Sequence, residues 1–261
     1  MTAALRELWH YRALLTAITY RDIRIKYKQS IMGFMWAILM PLLIVLVGVL
    51  VRYAYALSSN MPLQTADIAS VAIRSVPWAF TVSAIRMATN CLISNPSLVT
   101  KIYFPKEIFP LAAVAACLFD LVIASVPLAI LVAVGGAQAT MQLLWLPVLL
   151  LVLLSIVSGV SFFVSAASLF LRDVKYLVEV ALTFGIFVTP VFFNAAMFGK
   201  YGVLMMANPV APVLEGLEAT VLRGEAPDLF WLGYSAVFGL ASTLLGFAFF
   251  KRLEPSFAES I

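Results

Sequence analysis

Arg21, Arg24 and Lys28 stand at i, i+3 and i+7 in the stretch RDIRIKYK. On a helix that spacing puts three cations on one face. Guanidinium and ammonium groups so placed can hold a phosphate through charge-assisted hydrogen bonds. Tyr20, Ile23 and Tyr27 fall on the opposite face, and Asp22 and Lys26 are spaced for an i, i+4 ion pair. These eight residues carry four cations, and 21 uncharged residues follow, Ile31 to Val51. Two roles fit a basic helix set against so long an apolar run. One is anchorage on anionic headgroups at the inner surface of a membrane. The other is an entrance for an anionic, lipid-borne substrate, built from Arg21, Arg24, Lys26, Tyr27 and Lys28. Only the second expects that neutralising these cations stops transport while insertion stays normal.

Two further charges fall inside apolar runs, Arg86 and Asp120. A charge at mid-bilayer costs at least ~2.5 kcal/mol, so each should be paired or face water. Arg86 lies eight residues before Ser94, the expected inner end of its helix, about 12 Å along the axis. Asp120 lies twelve residues into the next helix, about 18 Å. A long arginine side chain bridges that difference, so an Arg86–Asp120 pair is expected. The alternative turns Arg86 toward a channel and an anionic cargo. Glu179 is expected to snorkel or to pair with Lys175.

Bond-making chemistry finds little support. His10 is the single histidine, and Cys91 and Cys117 sit in apolar runs without a CxxC spacing, so no metal is implied. A P-loop needs a Lys followed by Ser or Thr, and no such dipeptide occurs. Neither a nucleophile elbow nor HExxH is present. The chain reads as a non-enzyme.

The elements that must carry these residues are membrane helices. Of 261 residues, 63% are apolar and 11% charged, against about 25% charged in soluble domains. The fold class expected is all-α integral membrane, in one domain: an amphipathic interfacial segment at 1–30, six spans within 31–250 and a cytoplasmic tail at 251–261. The spans are placed at about 31–52, 69–94, 108–134, 143–171, 176–193 and 229–250. Leu5, Leu8, Tyr11, Leu15 and Ile18 form the apolar face of the opening helix. Lys and Arg concentrate before the first span, in the connections after the second and fourth, and after the last. With six spans these all fall on one side, so both termini are expected in the cytoplasm. The net charge of +4 then reflects topology, not nucleic-acid binding. Gly135 to Thr140, GGAQAT, reads as a tight outer turn. The outer segment 194–228 reads as two short re-entrant helices, about 197–207 and 212–222, broken at Asn208-Pro209. Asn208, Pro209, Glu215 and Glu218 are its candidate gate residues.

Five segments, in order, resemble the permease subunit of type-2 ABC exporters for polysaccharides. They are RDIRIKYKQSIMGFMWAILMPLL, NPSLVTKIYFPKEIFPLAAV (95–114), LFLRDVKYLVEVALTFGIFVTPVFF (169–193), NPVAPVLEGLEATVLRG (208–224) and FFKRLEPSFAESI (249–261). The segments are most similar to those of O-antigen and teichoic-acid exporters. The resemblance implies a homodimer in the bacterial cytoplasmic membrane, gripped by two separate ABC ATPase subunits that carry the ATP and Mg²⁺. The implied substrate is a glycan on polyprenyl pyrophosphate; a permease for drugs or small lipids is the alternative. The connection 95–107 is then the expected ATPase contact. Asn95-Pro96 can open a short helix, and Tyr103 and Phe104 offer apolar knobs beside Lys101, Pro105 and Lys106.

Overall fold

Apolar length decides the architecture. The computed structural model describes residues 2–28, 32–59, 64–134 and 140–260, and they form helices and turns with no strand among them. Two helices open the chain, α1 (Thr2–His10) and α2 (Arg12–Tyr27). Five of the helices that follow are long and apolar enough to cross a bilayer. They are α3 (Met35–Ser59), α4 (Thr65–Asn90), α6 (Ile108–Val134), α7 (Leu146–Phe170) and α11 (Leu229–Leu253). Between them lie α5 (Pro96–Lys101), α8 (Asp173–Val188), α9 (Gly202–Met206) and α10 (Ala211–Glu218). The turn expected at 135–140 lies, apart from Thr140, outside the described residues.

The span expected at 176–193 takes a different form. Helix α8 has 16 residues, about 24 Å, short of a hydrocarbon core of about 30 Å. The chain continues past it as a buried, non-helical stretch through Phe192. Non-helical backbone is tolerated at such depth only where protein satisfies it. Here Arg74 Nη1 donates to the carbonyls of Pro190 and Phe193 at 3.1 and 2.7 Å. Lower on α8, Glu179 meets Arg86, twelve residues from Arg74 along α4. Helix α8 and its extension therefore run antiparallel to α4 over about 18 Å.

Helix α4 is the centre of the bundle; it touches α3, α6, α7, α8 and α10. It is also the least apolar of the five long helices and the most buried. A helix enclosed by protein can keep Arg74, Ser70 and Ser75 at its core, where a lipid-facing helix could not. Helix α11 packs on α7 through small residues. A Cβ on Gly159 would stand 2.4 Å from the backbone of Ser242 and Thr243, and one on Gly246 2.3 Å from the Gly159 carbonyl. Thr243 Oγ1 donates to the Ser155 carbonyl at 2.7 Å across the same contact. Close backbone approach is how helices associate where burial of apolar surface gives no advantage over lipid.

Both ends of the chain meet at one end of the bundle. Ile18 of α2 shares an apolar cluster with Leu92, Phe104, Ile108, Phe109, Phe250 and Phe257. Leu8, Tyr11, Leu14 and Leu15 pack onto that cluster, so the apolar face of the opening helices is covered by protein. From there α2 climbs alongside α6, and its last residues reach Asp120.

Candidate functional site

The cations of the opening segment separate into two sets. Lys26 and Tyr27 both donate to Asp120, on the two oxygens of its carboxylate. Arg21 is held by its neighbour Asp22 at 2.8 Å, and Arg24 lies over the Tyr20 ring at 5.6 Å. Lys28 is exposed past the end of α2. The i, i+4 pair expected between Asp22 and Lys26 is thus replaced by Asp22–Arg21 and Lys26–Asp120.

Asp120 and Arg86 do not pair with each other. Arg86 makes a two-pronged contact with Glu179 of α8, at 2.9 and 2.6 Å. The correction has a geometric cause. Helix α4 ends at Asn90, not Ser94, so Arg86 sits only about 6 Å from its C-terminal end. Glu179 lies six residues into α8, about 9 Å, at nearly the same depth. Asp120 lies well above both, where the tip of α2 arrives instead.

These groups line one open cleft of about 570 Å³ between α2, α3, α4 and α6. Asp22, Lys26, Arg86, Asn90 and Asp120 supply its polar lining, and Trp36, Met40, Phe80 and Leu121 are among its apolar lining. Tyr27 continues into an aromatic run, 4.7 Å from Phe34, which stands 6.0 Å from Phe119. The cleft joins fixed charge of both signs to a hydrocarbon-compatible wall. Such a surface suits an amphiphile with a charged head. Arg21, Arg24 and Lys28 do not line it.

At the opposite end, α10 is wedged against α4, α7 and α11, with Ala211 through Leu214 fully or nearly buried. The break expected at Asn208-Pro209 is present. Asn208 Oδ1 accepts from Val210 N at 3.1 Å, while its Nδ2 donates to Thr189 Oγ1 at 2.7 Å. Past α10 the chain widens into a π turn, Ala219–Arg223, and reverses at Gly224 with φ 66°. A side chain there would be strained and would meet Thr140.

Glu215 and Glu218, the candidate gate acids, are turned toward the bundle. Arg74 Nη2 pairs with Glu218 and lies 3.3 Å from Glu215. Ser70 Oγ donates to the other Glu218 oxygen at 3.0 Å, and Glu215 accepts from Ala195 N at 2.9 Å. Arg52 extends the network, donating to Asn194 Oδ1 at 3.0 Å and standing 3.5 Å from Asp67. Sequence reasoning did not single out Arg74. Its signal was present: an arginine nine residues inside a helix of 26, with Glu215 and Glu218 the nearby acids on one face of a short helix.

The expected ATPase contact divides into an anchor and an exposed edge. Helix α5 forms with Pro96 in its first turn, but Asn95 does not cap it; its Nδ2 donates back to Cys91 O at 2.8 Å. Tyr103 is 97% exposed, beside exposed Ile102 and Lys101. Phe104, expected as a second knob, is buried 5.5 Å from Phe109, and Pro105 is buried with it. Lys106 stands 4.2 Å over the Phe104 ring, and its Nζ donates to the carbonyls of Ile102 and Leu98 at 2.5 and 3.3 Å. Burial lowers the Lys106 ammonium from its ordinary range, with Glu254 opposing. Next to it, burial raises the Glu107 carboxyl, with Lys251 opposing at 2.9 Å.

Helices of this length around a polar-cored centre define a multi-pass, all-α integral membrane protein. Its residues suit holding and passing a ligand. No protein-family model matches the chain. It is similar to the O-antigen export system permease protein RfbA of Myxococcus xanthus, at 25% identity over 265 residues and 100% of both chains. It is also similar to two O-antigen export system permease proteins RfbA of Klebsiella pneumoniae, at 24% and 23% identity over 94% of both chains in each case. The resemblance first seen in five segments thus extends along the chain.

Proposed function

We propose that this chain is the channel-forming permease subunit of an ATP-driven polysaccharide exporter. Two copies form the conduit, and two separate ABC ATPase chains, carrying ATP and Mg²⁺, seat on their inner ends. The cargo is an O-antigen-like glycan on polyprenyl pyrophosphate, moved outward across the bacterial cytoplasmic membrane, with both termini cytoplasmic. The observation that carries this reading is end-to-end similarity to O-antigen export permeases from two organisms. The geometry supports it at three points. The cleft joins charged groups to an apolar wall, as a lipid pyrophosphate requires. Tyr103 projects beside the end where both termini gather. The outer helix α10 plugs the opposite end.

The test is reconstitution with a candidate ABC ATPase subunit. Lipid-linked glycan should stimulate ATP hydrolysis and appear on the far side of the vesicle. Stimulation by drugs or short lipids but not by glycan, or transport by this chain without an ATPase, would overturn the proposal.

A further inference from the structure

We propose that the C-terminal tail is a positioning strut, which holds the 102–107 loop against the inner end of α11 so that a load applied at Tyr103 reaches the bundle. The inference rests on the reading that a partner ATPase seats on that loop. Its basis is a closed ring of polar contacts. Lys106 N donates to Glu254 Oε1 at 3.0 Å. Lys251 Nζ donates to Glu254 Oε2 at 2.9 Å and lies 2.9 Å from Glu107 Oε2. The peptide bond between Lys106 and Glu107 closes the ring.

Outside this ring, the carbonyls of Pro105, Lys106 and Glu107 accept from the first turn of α6, which joins the loop to α6 but not to α11. Lys106 Nζ turns back to Leu98 and Ile102, within the same connection. Phe104 gives an apolar plug, but a plug in a pocket resists withdrawal more than rotation. Glu254 adds the second point that fixes orientation. The tail is itself held: Phe257 is 1% exposed, 5.1 Å from Phe250 and 6.0 Å from Phe170. Glu254 thus has two separable jobs. Any acceptor satisfies the Lys106 N–H, whereas only a carboxylate balances Lys251.

The experiment separates them. A nitroxide is placed at position 103 by Tyr103→Cys; the native Cys91 and Cys117 are buried. Label mobility is read in detergent without partner, in Glu254→Ala, Glu254→Gln and Lys251→Met backgrounds. Export per assembled complex is read with Tyr103 restored. Glu254→Ala should free the label and lower export per complex about tenfold while the ATPase still co-purifies, and Glu254→Gln should stay within about twofold. Lys251→Met should leave the label fixed. A label equally immobile in Glu254→Ala, or Ala and Gln variants equally impaired, overturns the strut. So does a freed label with export per complex unchanged. A parent chain that captures no ATPase overturns the partner reading instead, and label mobility then decides the strut alone. Should Glu254→Ala not fold, Glu254→Ser keeps the test, being too short to reach Lys106 N.

Discussion

Replacing Arg74 with methionine removes the cation that α4, α10 and the stretch after α8 share. Arg74 is 0% exposed and Glu218 3%, so the carboxylate left behind has no ready access to water. Breaking one side of a buried pair costs about 3–5 kcal/mol, because the remaining charge is uncompensated. Two local features adjust that range in opposite directions. Glu218 keeps the Ser70 hydroxyl at 3.0 Å, which softens the loss. The carbonyls of Pro190 and Phe193 each lose a donor, which adds roughly 1 kcal/mol apiece. The net expectation is about 4 kcal/mol. In a chain of this size 1 kcal/mol moves the midpoint by about 2–4 °C, so the shift should be about 8–16 °C. Thermal unfolding in detergent, followed by tryptophan fluorescence, reads it. Arg74→Lys should fall between parent and Arg74→Met, since an ammonium cannot reproduce the fork that reaches two carbonyls and two carboxylates. The double variant Arg74→Met, Glu218→Met should regain much of the loss, because replacing both halves of a buried pair is often near neutral. A single substitution that moves the midpoint by less than about 2 °C, or a double variant that loses the sum of the two singles, would refute the idea of one interdependent buried cluster.

Three other perturbations test separate parts of the structure. Gly159→Val should cost at least ~3 kcal/mol, seen as loss of the monodisperse peak on size exclusion, because the new Cβ meets α11 backbone at 2.4 Å and backbone cannot turn aside. Tyr103→Ala should leave the unfolding midpoint within about 1 °C, since the side chain is 97% exposed, yet abolish ATPase co-purification. Glu107 should show in the pH dependence of stability. Burial raises its carboxyl in the folded chain, so folding favours the protonated form. That contribution is complete below the unfolded value of about 4.3 and is lost as pH rises through the higher folded value. Over that window the midpoint of Glu107→Gln should fall less than the parent's, as measured by scanning fluorimetry across pH.

What the sequence disclosed was mostly what depends on neighbours along the chain. Apolar length placed five of the six expected spans, and Asn208-Pro209 marked the break between α9 and α10, because proline cannot continue a helix. Partners across the bundle were harder to read. Arg74 and Glu218 are 144 residues apart, and Arg86 and Glu179 are 93 apart. Axial arithmetic gives depth but not direction around the helix, and four residues of error at the end of α4 doubled Arg86's apparent depth. Asp120 was misassigned for another reason. A basic amphipathic helix looks the same on paper whether it rests on headgroups or leans on protein. Its covered apolar face and its contact with α6 appear only when the chain is folded.

The three clusters are not independent, because α4 runs through two of them and ends beside the third. Arg74 holds α10 and the non-helical stretch after α8. Arg86 and Asn90 line the cleft, and Arg86 ties the N-terminal half of α8. Leu92, just past the helix, lies in the cluster that buries Phe104. Helix α8 and the stretch after it are thus fastened to α4 at two levels, by an exposed ion pair at Glu179 and by buried hydrogen bonds from Arg74 to the Pro190 and Phe193 carbonyls. The two fastenings differ in strength. A pair with side chains 49% and 50% exposed is worth at most about 1 kcal/mol, whereas each buried hydrogen bond from the Arg74 guanidinium to these carbonyls is worth about 1.5–3 kcal/mol. A movement that parts α8 from α4 therefore meets least resistance at the Arg86 level, beside the cleft, and most at Arg74.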